Sequence, residues 1–289
     1  MKTISVKAPA KVNLFLKVLG KRADGYHDIF SWFQAVDLFD YLTIEKSPHI
    51  GFQLELANGA NIPVDETNII NKIAQLLFKR YNLTGGLSIK LEKNIPVAAG
   101  LGGGSSDGVA TIYAIDRLFD LGLSSEKMAD LGLEIGSDLP FFFTSGQAEV
   151  TGRGEITKNI DLPLDYAMIL ITPQLEISTA DSYRNLKMDL TSRKHSIKLL
   201  YHRNFSGFAA EILKVGNDFE GALEWAFPEL TQIKEALREL GSVVTRLSGS
   251  GPTVFGLFDK LPDGEYIERI RQENWHICTV RPITLPVWE

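Results

Sequence analysis

Residues 96–108 read "PVAAGLGGGSSDG", with Gly100, Gly102, Gly103 and Gly104 inside five positions and Ser105, Ser106 and Asp107 directly after them. Glycine loses more backbone freedom on folding than any other residue, so such a run is retained only where side chains are not tolerated. Two well-known glycine-loop patterns fail here. A dinucleotide fingerprint starting at Gly100 needs glycine where Ser105 stands, and a P-loop over Gly103–Gly108 needs lysine where Val109 stands. The physics they share remains available. Bare amides at a helix N-terminus, backed by the helix dipole, form an anion site. A tight strand–helix crossing that merely needs room is the plain alternative, and the two serines serve either reading, as helix caps or as contacts to a phosphate or Mg²⁺.

The flanks place the run at a strand-to-helix junction. Before it, "LSIKLEK" alternates Leu87, Ile89 and Leu91 with polar residues, the period of a half-buried strand. After it, "SSDGVATIYAIDRLFDLG" predicts a helix closed by Gly122. Further out, residues 65–80 carry Ile69, Ile70, Ile73, Leu76 and Leu77 at helical spacing, with Asp65 or Thr67 as the expected cap. Strands are predicted over 12–19, 41–46 and 167–172, and helices over 125–134, 196–203 and 229–240. "SVVTRLSGSGPTVFGLF" predicts strand, glycine turn, strand, the turn alone being an ordinary hairpin. Strands and helices do not alternate strictly, so an α+β class is expected rather than a doubly wound sheet. A boundary near "LPLD" divides the chain into 1–160 and 161–289.

Composition sets the broad class. The chain has 289 residues, 44% of them hydrophobic and 23% charged, as a globular protein with a substantial core requires. A net charge of −6 argues against a general nucleic-acid surface but permits a local pocket for an anionic small molecule. Cys278 is the single cysteine, which excludes an intramolecular disulfide. Lys7, Lys11 and Lys17 interrupt the apolar N-terminal stretch, so neither a signal peptide nor a membrane span is expected, and the predicted location is cytoplasmic.

Three motifs in order, "PAKVNLFL" at 9–16, "PVAAGLGGGSSD" at 96–107 and "RLSGSGPTVFGLF" at 246–258, resemble the GHMP kinase superfamily along essentially the whole chain. "RADGYHDI", "GSDLPFF" and "ISTADSY" narrow the resemblance to members whose acceptor alcohol carries a cytidine diphosphate. Ala98 and Ala99 depart from the pattern, standing where many relatives have further glycines. The resemblance implies a two-domain α+β GHMP fold with the active site in the cleft between domains. It also implies ATP as co-substrate with Mg²⁺, held by Pro96, Val97, Ala98, Ala99, Gly100, Leu101, Gly102, Gly103, Gly104, Ser105 and Ser106, with Asn68 near the adenine. For Asn68 a helix-cap role competes.

By the same resemblance Asp138 is the base that takes the acceptor hydroxyl proton, and Lys11 is its cationic partner. Without the motif, Asp138 reads as a cap for a helix entered through Pro140 and Lys11 as a solvated strand charge. Asn13, two residues from Lys11 and so on the same strand face, is expected to hold substrate. Tyr26 and His27 on one side and Tyr183 on the other are expected to sandwich the cytosine. The expected partner is therefore a small-molecule cytidine diphosphate sugar-alcohol, with no nucleic acid, membrane or obligate protein partner. A GHMP kinase for homoserine or mevalonate, and a catalytically silent sensor of nucleotide or sugar, are the alternatives. Tyr26, His27 and Tyr183 speak against the first, and the presence of both Asp138 and Lys11 against the second.

Overall fold

The computed structural model describes residues 2–186 and 199–286. Two long antiparallel strands, β1 (Thr3–Lys21) and β2 (His27–Ser47), form its spine. Along its other edge β2 pairs with β4 (Gly86–Glu92) at one end and β5 (Gln147–Thr151) at the other. β3 (Gly51–Leu56), parallel to β4, and β6 (Ile156–Asn159), antiparallel to β5, complete a six-stranded sheet. A second, four-stranded antiparallel sheet runs β10 (Trp275–Val280), β7 (Ala167–Pro173), β9 (Val254–Phe258), β8 (Val244–Leu247). Mixed sheets and helices make this an α+β architecture.

Helices α1 (Ile69–Arg80), α2 (Gly103–Phe119) and α3 (Ser125–Leu133) belong to the first half of the chain. α1 and α2 bury Ile70, Ile73, Leu77, Val109, Ile112 and Ile115 against Leu42, Ile44, Leu87 and Ile89 of the first sheet. A second core joins the two sheets: Ala10, Val12, Leu14 and Trp32 meet Met168, Leu170, Phe255 and Phe208. Helices α4 (Thr179–Asn185), α5 (Phe205–Val215), α6 (Glu220–Ala226), α7 (Pro228–Glu239) and α8 (Gly264–Arg269) follow. Among the described residues no helix is long and apolar enough to cross a membrane.

β1 is irregular, and the irregularity positions the site. Its register with β2 breaks between Pro9 and Ala10 and again between Asn13 and Phe15. Val6 and Ala8 lie in the first core, Ala10, Val12 and Leu14 in the second, and Leu16 and Val18 in the first again. All seven positions are even, so the faces of the strand exchange at each break. Lys7 is exposed, whereas Lys11 on the far side of the first break is buried.

Several elements differ from the sequence-based expectation. Asn68, not Asp65 or Thr67, caps α1 by accepting from the Ile70 amide at 2.9 Å. Asp65 instead accepts from Thr67 in the turn before it. α2 stops at Phe119, where Asp120 takes φ +51°, and Gly122 lies in the link to α3. Of the helix expected over 196–203, residues 196–198 lie outside the described residues and 199–203 are not helical. The helix begins at Phe205 behind the Asn204 cap, whose side chain accepts from Gly207 N–H at 2.8 Å.

Candidate active site

The glycine run leaves β4, crosses over Lys11 and enters α2. Gly102 precedes α2 in the left-handed region, φ +69°, and offers no side-chain cap. The first amides of a helix have no intrahelical acceptor, so the positive end of α2 stands open. It opens on a cleft of about 400 Å³ lined by Pro96–Gly100, Gly102–Ser105 and Asn68. Ile62, Pro63, Thr67, Ile69, Lys93 and Asp107 complete its wall. Leu101 and Ser106, expected among the nucleotide contacts, are turned inward and do not line the cleft. Asn68 lines it while its side chain is spent on the α1 cap and on the Pro63 carbonyl.

Room for a ligand accounts for only part of the glycine content. A Cβ on Gly100 would lie 2.1 Å from the Ser248 carbonyl oxygen, in the turn between β8 and β9. On Gly102 it would meet Lys11 Cγ at 2.8 Å, and on Gly103 the Lys93 Nζ at 2.8 Å and Ile95 Cγ2 at 2.9 Å. Gly104 alone of the four would carry its Cβ into open space. Three of the glycines therefore admit the protein's own groups. Ser248 reinforces the junction: its hydroxyl donates to the Gly100 carbonyl at 2.9 Å and accepts from the Asn13 amide at 3.2 Å. Ala98 takes φ +53°, a conformation that costs an L-residue about 1–2 kcal/mol and that glycine would adopt freely.

Beneath the loop, Lys11 Nζ donates to Asn13 Oδ1 at 2.5 Å and to the Gly100 carbonyl at 3.2 Å, and stands 3.7 Å from Asp138 Oδ2. Burial pulls the Lys11 ammonium below its ordinary value, with Asp138 opposing. Asp138 precedes the 3₁₀ helix Leu139–Phe143, but its carboxylate makes no cap bond and faces Lys11. The capping alternative for Asp138 is thus not adopted. Asn13 does share the Lys11 face, yet it is buried, and Nδ2 donates to Ser31 Oγ at 3.3 Å while Oδ1 receives Lys11. Its side-chain amide bonds within the protein, where Oδ1 orients the Lys11 ammonium.

The aromatic group also differs from expectation. His27 and Tyr183 stack directly on each other, centroids 4.9 Å apart and 18° from parallel, which leaves no slot for a base between them. Tyr26 is 55% exposed and carries the Arg153 guanidinium 4.7 Å above its ring. Burial and the Lys21 charge hold His27 below its usual value, so its ring is neutral at pH 7 with one donor and one acceptor. Burial, then the Asp138 charge, raises Tyr183 to about 12, which places the phenol in the field of that carboxylate.

Sequence reasoning passed over Lys93 and Arg153. Lys93 pairs with Asp40, and with Asp107 at 3.0 Å, in a nearly dry cluster behind the cleft. Asp40 is saturated by the amides of Asn94 and Ile95 at 2.6 and 2.8 Å, but Asp107 Oδ1 has no hydrogen-bond partner. Burial raises the Asp107 carboxyl above the usual range, and Lys93 only partly offsets this. Asp107 sat in the quoted motif, whereas nothing in "LEKN" distinguishes Lys93 from a surface lysine.

Comparison with known proteins agrees with this geometry. The family models for the GHMP kinases N terminal domain and GHMP kinases C terminal match residues 68–146 and 196–277. The chain is 41% identical over 252 residues to the 4-diphosphocytidyl-2-C-methyl-D-erythritol kinase of Bacillus cereus (strain B4264), covering 87% of each chain. A crystal structure of a 4-(cytidine 5'-diphospho)-2C-methyl-D-erythritol kinase superposes with TM-score 0.74 at 28% identity, over 97% of this chain and 99% of the other. The homoserine kinase of Cytophaga hutchinsonii shares the fold alone, with TM-score 0.70 at 19% identity over 98% of this chain and 96% of the other. With relatives this similar along most of its length, the chain belongs to the GHMP kinase family.

Proposed function

We propose that this chain transfers the terminal phosphoryl group of ATP to the 2-hydroxyl of 4-diphosphocytidyl-2-C-methyl-D-erythritol, a step of non-mevalonate isoprenoid precursor synthesis. The observation that carries the reading is the Lys11–Asp138 pair, 3.7 Å apart, with Lys11 packed beneath Gly100 and Gly102 of the cleft walled by the amino end of α2. The acceptor comes from the similarity to the Bacillus enzyme. We also propose that residues 1–160 form the ATP-binding part and 161–289 the second part of the cleft.

Phosphoryl transfer needs in-line positioning, neutralised phosphate charge and a group to take the hydroxyl proton. Asp138, with its side chain 37% exposed and no helix-capping duty, is open to an incoming hydroxyl and takes that proton. Lys11 keeps the carboxylate oriented and lends positive charge where the phosphoryl group moves. Amides of the α2 amino end hold the phosphate tail. The described residues contain no cluster of three metal-ligating side chains. Mg²⁺ needs only one or two protein groups when phosphates supply the rest, and the unpartnered Asp107 Oδ1 in the cleft wall fits that demand. Asp107, with Ser105, would hold the ion, which neutralises phosphate charge when bound.

The direct test is ATP turnover with the cytidylated alcohol beside homoserine and mevalonate. Turnover confined to the cytidylated acceptor is expected; turnover confined to a smaller alcohol would remove the assignment.

A further inference from the structure

We propose that Arg153 is the cation that recognises the diphosphate of the acceptor, which makes it a specificity-determining residue outside the Lys11–Asp138 pair. This rests on the acceptor being a cytidine diphosphate, as argued above. Arg153 lies in the turn between β5 and β6, and that turn is firmly placed: the Gly152 carbonyl accepts from Ile29 N–H at 2.7 Å, and Arg153 N–H donates to Glu155 Oε2 at 2.5 Å. The next residue, Gly154, approaches the reacting carboxylate so closely that a Cβ there would sit 3.1 Å from Asp138 Oδ1. From this position the Arg153 side chain reaches the ring of Tyr26, and its charge is felt by Asp24. Arg153 thus links two parts of the site: its neighbour Gly154 lies against Asp138, and its own guanidinium lies over Tyr26. An acceptor with its alcohol at Asp138 and its base beside the exposed Tyr26 lays its diphosphate within reach of the Arg153 guanidinium.

The other cations nearby are already engaged. Arg22 binds Asp28 at 2.8 Å and Asp24 at 3.1 Å, Lys17 pairs with Asp218, and Lys11 serves Asp138. Arg153 meets Glu155 only at 3.9 Å, and its side chain is 30% exposed, so its planar donor fork is available to an incoming anion. Lys21, at the end of β1 opposite His27, is a rival among the described residues.

The test measures CDP and cytidine binding calorimetrically to the full chain and to Arg153→Gln, Arg153→Lys and Lys21→Gln. The expected result is that Arg153→Gln weakens CDP by roughly 10- to 100-fold, the range for a lost charge-assisted contact, while cytidine changes less than about twofold. Arg153→Lys should retain much of the CDP affinity, and Arg153→Gln should raise KM for the cytidylated acceptor with kcat and the ATP KM unchanged. Equal loss of CDP and cytidine would show a ring-packing or structural role and overturn the proposal, as would unaltered CDP binding or a selective loss in Lys21→Gln instead. A wild-type chain that bound neither ligand would overturn the acceptor reading itself, and this inference with it.

Discussion

Lys11 Nζ lies 3.7 Å from Asp138 Oδ2 although one residue comes from an early strand and the other from the position just before a 3₁₀ helix far along the chain. The pair leaves the carboxylate half open and the ammonium dry. Replacing Asp138 by Asn keeps the shape but removes the proton acceptor. Turnover should fall by about 10²–10⁴-fold, with binding of a non-hydrolysable ATP analogue unchanged. Near-normal turnover in steady-state assays would move the base elsewhere.

The depressed Lys11 ammonium gives a pH signature with two opposed limbs. Burial is the dominant cause, so the folded protein releases this proton below 10.5 while the unfolded chain still holds it. As pH rises through that window, kcat should fall because the charge beside Asp138 is lost. In the same window the unfolded state binds more protons, so the Lys11 contribution to stability rises with pH. A rate loss accompanied by unchanged or increased resistance to urea is therefore expected. Parallel loss of rate and of folded protein would assign the alkaline limb to unfolding instead.

Strand and helix periodicity made the order of the central elements legible, because Leu87, Ile89 and Leu91 alternate and α1 repeats its apolar face every three or four residues. The exchange of faces along β1 was not legible. Val6, Ala8, Ala10 and Val12 form one unbroken alternation in the sequence, and only the register break beside Pro9 brings Lys11 inward while leaving Lys7 in solvent. The glycine run signalled that something approaches closely but not what does so. For Gly100, Gly102 and Gly103 it is Ser248, Lys11, Lys93 and Ile95, groups from distant parts of the chain that no local pattern connects. Arg153 was illegible for a similar reason: its meaning comes from Tyr26 and Asp138, which the β5–β6 turn reaches only in the folded protein.

Asp107 offers a test of the metal reading. One oxygen meets Lys93 at 3.0 Å while the other has no partner in the cleft wall. Asp107→Asn preserves size but removes the carboxyl group, which burial keeps protonated until a divalent cation displaces the proton and takes the ionised form as its ligand. The Mg²⁺ concentration for half-maximal turnover should rise on the order of tenfold, since a charged ligand is exchanged for a neutral one. An unaltered Mg²⁺ dependence, measured at saturating ATP, would leave the ion to the phosphates and to other groups.

The four glycines divide into two kinds that substitution separates. Gly100→Ala places a methyl 2.1 Å from a backbone carbonyl and forces an L-residue to φ +76°. The left-handed conformation alone costs about 1–2 kcal/mol, and the loop must also part from Ser248, so a lower Tm is expected before any effect on nucleotide. Gly104 sits inside α2 with open space at its Cβ, where alanine favours the helix by about 0.5–1 kcal/mol. Gly104→Ala should therefore keep or raise Tm while its methyl, projecting into the cleft, raises the ATP KM. A variant at Gly104 with unchanged ATP affinity and raised Tm would mean that the phosphate tail does not pass over the start of α2, and the cleft would need another occupant.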